Sequence, residues 1–191
     1  EINIIMSLEI IKDPAKSFKY AKKKKNINHT TSILATNSFI ITVGLAFAVF
    51  KNSIASVTPL MVLSLSVTTF FVVILMAIIF GWTLQIISNA LGGKGKYFEG
   101  FTAFVYSLTA PSLGILIAAF FAVIPQSWPI TFILLVPSFG LGIATLYRGI
   151  KDLFKMDMVT TFVVVSITTM SFFISIYTIV TLNILSSGVL V

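Results

Sequence analysis

The sequence contains no cysteine and a single histidine, His29. Disulfides, thiolate nucleophiles, cysteine-ligated zinc and any metal site built on several histidines are thereby excluded. Charge is nearly as scarce: charged residues are 10% of the 191, and only six are acidic. An ordinary soluble domain carries about 25% charge, so this chain lacks the polar surface to enclose a core in water. What it has instead is apolar, 57% of the residues, and the solvent that suits such a chain is lipid.

Where charge is missing altogether, the architecture shows. No charged residue lies between Lys25 and Lys51, Lys51 and Lys94, Glu99 and Arg148, or Asp157 and Val191. A helix crossing the hydrocarbon needs about 20 apolar residues, so each gap holds one. The third holds two, divided by Pro125 and Pro129 in "AVIPQSWPI". The expected fold is an all-α integral membrane protein, a bundle of five transmembrane helices over residues 29–191, with spans at about 30–50, 57–82, 100–124, 129–148 and 158–186. The second span continues past Trp82 as a helical extension that Gly92 and Gly93 end. A membrane β-barrel would need strands that alternate apolar and polar, and "FFVVILMAIIF" does not alternate.

The loops set the orientation. Basic residues crowd "KSFKYAKKKKN", "GGKGKYFEG" and "YRGIKDLFKMD", whereas the opposite side has Lys51, "PQSW" and "SSGVLV". Positive residues accumulate on the cytoplasmic side, which predicts a cytoplasmic N-terminus and an external C-terminus. Seven of the thirteen basic residues fall between Lys12 and Lys25; in this setting they read as a lipid-surface signal rather than a nucleic-acid patch. They also follow an apolar stretch instead of preceding it, which is not the order of a cleavable signal peptide.

Residues 1–28 read as a cytoplasmic amphipathic segment. Ile4, Ile5, Leu8 and Ile11 share a helical face; after them Asp13 can cap and Pro14 can open a second helix in which Phe18 and Ala21 oppose Lys16, Lys19 and Lys23. Lys16, Lys19, Lys22, Lys23, Lys24 and Lys25 are the candidate contacts to anionic headgroups, each worth about 1 kcal/mol near such a surface. The plainer reading is a topology anchor without a partner. In the fifth span Thr161, Thr168, Ser171, Ser175 and Thr178 form a hydroxyl stripe interrupted by Val164, suited to close helix packing or to lining a polar path. The small pairs Gly140–Ala144 and Ser138–Gly142 allow the same packing. Pro111 should kink the third span, with Thr109 or Ser112 satisfying the freed backbone, and Tyr106 beside it could shape a cavity.

No acidic, basic or histidine side chain lies deep in a predicted span, which argues against proton-coupled transport and intramembrane proteolysis. No cofactor or metal is expected, and the protein reads as a non-enzyme. "GGKGKY" is not a phosphate loop, because Tyr97 follows Lys96 where a Ser or Thr belongs, and Phe98 stands where a dinucleotide loop needs its third glycine. It reads as a hairpin of Gly92, Gly93 and Gly95 at the membrane surface.

The longer stretch "GGKGKYFEGFTAFVYSLTAP", through Pro111, resembles the Gly-Gly-x-Gly, aromatic, Tyr-Ser-x-x-x-Pro segment of the Yip1 family of multi-pass membrane proteins. "GLGIATLYRGIKDLFKMD" is similar to the end of that family's fourth span and its Leu-Tyr-x-Gly-x-Lys loop, and Asp13, Pro14 and Phe18 match a pattern of its prokaryotic members. The resemblance runs from about residue 8 to the end. It implies a protein of the prokaryotic cell membrane that acts without catalysis in membrane organisation or as a trafficking-type adaptor. Its expected partners are anionic headgroups, a protein on the cytoplasmic face and further copies of itself, and not nucleic acid. The alternative is a small permease or channel for a neutral or lipid-like solute; a lipid-modifying enzyme is disfavoured for want of a converging acid, base or metal set.

Overall fold

A computed structural model describes residues 9–24, 27–52, 58–122, 124 and 128–186. After a helical stretch over 9–12, Asp13 Oδ1 accepts the Lys16 N–H at 3.1 Å and Pro14 takes the first helical position, where its missing N–H costs nothing. This starts α1 (Pro14–Lys24). Six helices follow: α2 (Ile27–Asn52), α3 (Pro59–Ala90), α4 (Tyr97–Ser107), α5 (Thr109–Phe121), α6 (Trp128–Phe154) and α7 (Met158–Ser186). The start of α3 repeats the device of α1, with the Thr58 hydroxyl accepting the Met61 N–H at 3.3 Å and Pro59 in the first turn. The described residues contain no strand.

Five segments are long and apolar enough to cross a bilayer: Ile27–Ala48, Pro59–Ala90, Tyr97–Phe121, Pro129–Phe154 and Met158–Ser175. The third is the centre of the bundle. Its most apolar stretch is 61% buried inside the protein, against 6% for that of Pro59–Ala90, so α4 and the first turns of α5 are enclosed while most of α3, like Ile117 and Phe120 late in α5, is exposed toward the lipid side. Every residue of α4 from Glu99 to Ser107 is buried. Phe80 of α3 stacks on Phe104 at 5.2 Å, and Phe172 of α7 meets both rings edge-on.

The third span is interrupted where Pro111 acts, at the Leu108 turn three residues before it, between α4 and α5. A proline has no N–H for the carbonyl four residues back, here Ser107, and its ring crowds that carbonyl, so the disruption falls on the preceding turn. Pro111 itself sits in the first turn of α5. Of the expected apolar face of Ile4, Ile5, Leu8 and Ile11, the first three lie outside the described residues and Ile11 is half-buried; its neighbour Ile10 joins the core, 2% exposed.

Candidate functional site

Three segments distant in sequence meet at one end of α6. Helices leave their last carbonyls unpaired, and here each finds a donor. Lys22 Nζ of α1 donates to the carbonyls of Asp152 and Leu153 at 3.1 and 3.2 Å, and the Lys94 N–H donates to that of Phe154 at 3.1 Å. Lys155 then adopts φ 55, and the Met156 N–H returns to the Lys151 carbonyl at 3.3 Å. An ammonium at this position also complements the negative end of the helix dipole.

The 91–96 turn is shaped to reach that point. Gly92 takes φ 90, its N–H bonds the Asn89 carbonyl and the Gly93 N–H bonds that of Ser88, the double closure that ends a helix with a left-handed residue. Gly95 lies flat on the Phe154 ring, where a Cβ would come within 2.2 Å of it. The Lys96 N–H, first donor of α4, is taken by Glu99 Oε2 at 3.0 Å, which gives this buried carboxylate its partner.

Helix α1 docks through one ring. Phe18 is fully buried, stacks on Tyr106 at 5.3 Å and rests on Gly149 of α6, where a Cβ would stand 2.7 Å from Phe18 Cζ. Lys16 and Lys19 are exposed on the outer side, whereas Lys22 is engaged at the end of α6. Lys23 and Lys24 belong to α1, and Lys25 lies outside the described residues.

Below Phe18 runs a buried polar line that sequence reasoning missed. The Tyr106 hydroxyl is 3.0 Å from His29 Nδ1, and the hydroxyls of Thr30 and Thr102 are 3.5 Å apart. Asn37, fully buried on α2, spans the break between α4 and α5. Its amide donates to the Val105 carbonyl (3.1 Å) and Thr109 Oγ1 (3.3 Å), and its Oδ1 accepts the Ser112 hydroxyl (3.2 Å). The available signal was an amide seven residues after Thr30, hence on the same helical face, at the middle of a membrane span. Asn37→Leu leaves the Val105 carbonyl and the Thr109 hydroxyl without this donor away from water, at about 1–3 kcal/mol for each such group, while the Ser112 hydroxyl keeps its bond to the Thr109 carbonyl at 2.9 Å. The unfolding midpoint in detergent is expected to fall clearly, while Phe39→Ala, on the lipid side of the same helix, leaves it nearly unchanged. Equal midpoints would show that the amide does not hold the break.

Tyr106 and Pro111 do not share a cavity. Tyr106 turns to α1 and α2, whereas Pro111 borders a cavity of about 50 Å³ with Ser107, Gly142 and Thr168. Thr168 Oγ1 is buried there with no hydrogen-bond partner among the described residues. The hydroxyl stripe of α7 changes character along its length. Thr161 and Thr168 are buried, Ser171 and Ser175 are half-buried, and Thr178 is exposed. The hydroxyls of Thr161, Ser171, Ser175 and Thr178 bond carbonyls four residues back in the chain. At the start of α7, the Thr160 hydroxyl and the N–H groups of Thr160 and Val159 hold the Asp157 carboxyl below the usual carboxylate range. A depressed pKa means this cap is complete above the ordinary range and is lost only as pH falls through the lowered one.

The small pairs divide in the same way. Gly142 packs on Pro111 and the Ser107 carbonyl, but Gly140 and Ala144 are exposed on another face of α6. Among the described residues no group of three or more acidic or histidine side chains could hold a metal ion.

The family model for the Yip1 domain matches residues 8–179, which takes in α1, the 91–96 turn, the break before Pro111, the end of α6 and most of α7. No curated protein and no solved structure matches the chain. With that match covering nearly the whole length and five apolar helices able to cross a bilayer, the chain belongs to the Yip1 family and is a multi-pass membrane protein of the Yip1 type.

Proposed function

We propose that the protein acts without catalysis, as an adaptor that organises the lipid and protein around it from a rigid basic end. The observation that carries this reading is the convergence at the end of α6. Phe18 and Lys22 fix α1 against the bundle, so that Lys16 and Lys19 are carried on a docked helix rather than on a loose tail, and the turns that bear Lys94 and Lys155 meet the same end of α6 as Lys22. By the loop-charge rule this end is cytoplasmic, facing the leaflet rich in anionic lipid. The permease alternative draws less support: the cavity at the helix break is about 50 Å³, room for water and not for a solute, and the Ser171 and Ser175 hydroxyls are engaged within their own helix.

The test is reconstitution of the full chain, oriented by impermeant labelling of Asn89→Cys at the exposed end of α3, into vesicles with a fluorescent anionic lipid. Energy transfer from the protein to that lipid should exceed transfer to a zwitterionic one, and should lose most of the excess with salt or with Lys16→Gln, Lys19→Gln and Lys94→Gln combined. Equal transfer to both lipids at low salt would refute the reading.

A further inference from the structure

Helices α6 and α7 leave an open groove of about 690 Å³ between them, walled by Gly140, Ala144 and Tyr147 on one side and Phe162, Thr169 and Met170 on the other. The small residues create it. A Cβ built on Gly140 meets nothing within 4 Å, and Ala144 one turn on is exposed. Empty space along a helix pair forfeits dispersion contacts, so in a bilayer something apolar fills it.

The groove has a polar end. At 3.6 residues per turn the line through Ala144 and Tyr147 continues to Lys151, with Arg148 on its edge and Asp152 about 40° farther round, whereas Gly149 faces α1 on the other side of α6; the Asp152 carboxylate forms no ion pair with either cation among the described residues. Neither the Arg148 nor the Lys151 side chain makes a hydrogen bond or ion pair among the described residues. The acidic group that follows, Asp157, is engaged in capping α7. From Gly140 to Lys151 a helix rises about 16 Å, roughly half the ~30 Å of hydrocarbon, which is the depth of one leaflet.

We propose that this groove is a binding site for one anionic phospholipid, with an acyl chain between α6 and α7 and its phosphate at Lys151 and Arg148. A second copy of the chain is the competing occupant, since Gly140 and Ala144 are a small pair of the kind that joins helices. A parallel copy, however, would bring its own Arg148 and Lys151 against the same two cations, and like charges in register oppose that pairing. The phosphate of a lipid satisfies them.

The site does not depend on the adaptor reading, and its test separates the two. The purified full chain is equilibrated in mixed micelles with equal phosphatidylglycerol and phosphatidylcholine, and native mass spectrometry counts the lipid retained. One phosphatidylglycerol per chain is expected, preferred about tenfold or more given two basic residues at the surface. Ala144→Phe and Gly140→Leu fill the groove and should remove the adduct; the open space at Gly140 lets its variant fold, as an unchanged elution volume would verify. Arg148→Gln with Lys151→Gln should keep a lipid but lose the headgroup preference, whereas Lys16→Gln with Lys19→Gln should change neither. The proposal is overturned if the groove-filled variants retain lipid as the wild type does, if both lipids are retained equally, or if the chain is a lipid-free dimer that Ala144→Phe dissociates.

Discussion

Replacing Phe18 with alanine is expected to release α1 from the bundle while leaving the five long helices assembled. A buried phenylalanine truncated to alanine costs about 3–5 kcal/mol, and this ring is fully buried between Tyr106 and Gly149. Against that loss α1 has little of its own: it is 11 residues long, and a helix below about 12–15 residues is marginal when isolated in water. Lys22 is the other attachment, through two part-buried bonds to the Asp152 and Leu153 carbonyls. Hydrogen bonds of a charged group contribute about 1.5–3 kcal/mol, so Lys22→Met is expected to cost less than the loss of the ring. The ring wins, and the order of the two variants is the test. Hydrogen exchange of the α1 amides should accelerate strongly in Phe18→Ala and modestly in Lys22→Met, with α4 still protected in both. Unchanged α1 protection in Phe18→Ala would mean that the lysine, not the ring, holds the helix. Because Lys16 and Lys19 ride on α1, the same variant should blunt the enrichment of anionic lipid without removing a single charge.

That the ring matters more than the lysine run is only half legible in the sequence. Spacing places Phe18 and Ala21 opposite Lys16 and Lys19, and Asp13 before Pro14 marks the helix start; both follow from local rules. What Phe18 meets is not local. Tyr106 and Gly149 are 88 and 131 positions away, and nothing in the run of lysines distinguishes Lys22, whose partners are the carbonyls of Asp152 and Leu153. The five spans are readable because lipid punishes charge uniformly along a helix, so gaps between charges mark crossings whatever the tertiary arrangement. The break at Leu108 lies three residues from the proline that signals it because a proline's effect falls on the carbonyl four positions back, and how the helix yields there depends on neighbours. One of those neighbours is Asn37 on α2, whose bonds to Val105, Thr109 and Ser112 span the break. An uncharged amide in the middle of a span that also carries Thr30, Thr36, Ser38 and Thr42 stands out only by its spacing from Thr30. Likewise the pairs Gly140–Ala144 and Ser138–Gly142 are indistinguishable as patterns, yet Gly142 meets Pro111 while Gly140 faces open space.

Among the helix glycines the largest loss is expected from Gly100→Ala, although that change ordinarily favours a helix by about 1 kcal/mol. Here α3 and α4 cross with their backbones in contact. A Cβ on Gly100 would lie 2.4 Å from the Gly81 carbonyl oxygen and 3.3 Å from the Gln85 nitrogen, and across the same crossing a Cβ on Gly81 would lie 2.8 Å from Phe101 Cα. A flexible side chain can step aside, but a helix backbone can only translate. Moving α4 outward pulls on Glu99 and the Lys96 amide it caps, and through the 91–96 turn on the Lys94 bond to the end of α6. Overpacking costs about 1–3 kcal/mol where side chains can adjust, and an unyielding backbone places this site at or above the upper end, well beyond the propensity gain. Two other glycines calibrate the argument. Gly92→Ala meets no atom but must hold φ 90, a strain of about 1–2 kcal/mol. Gly140→Ala meets nothing and has ordinary helical geometry, so it should gain up to about 1 kcal/mol. Unfolding midpoints in detergent are thus expected to rank Gly140→Ala at or above wild type, Gly92→Ala below it and Gly100→Ala lowest. A Gly100→Ala protein as stable as wild type would mean that α3 and α4 do not touch at this crossing, and with that contact gone the rigid presentation of the basic end would lose its physical basis.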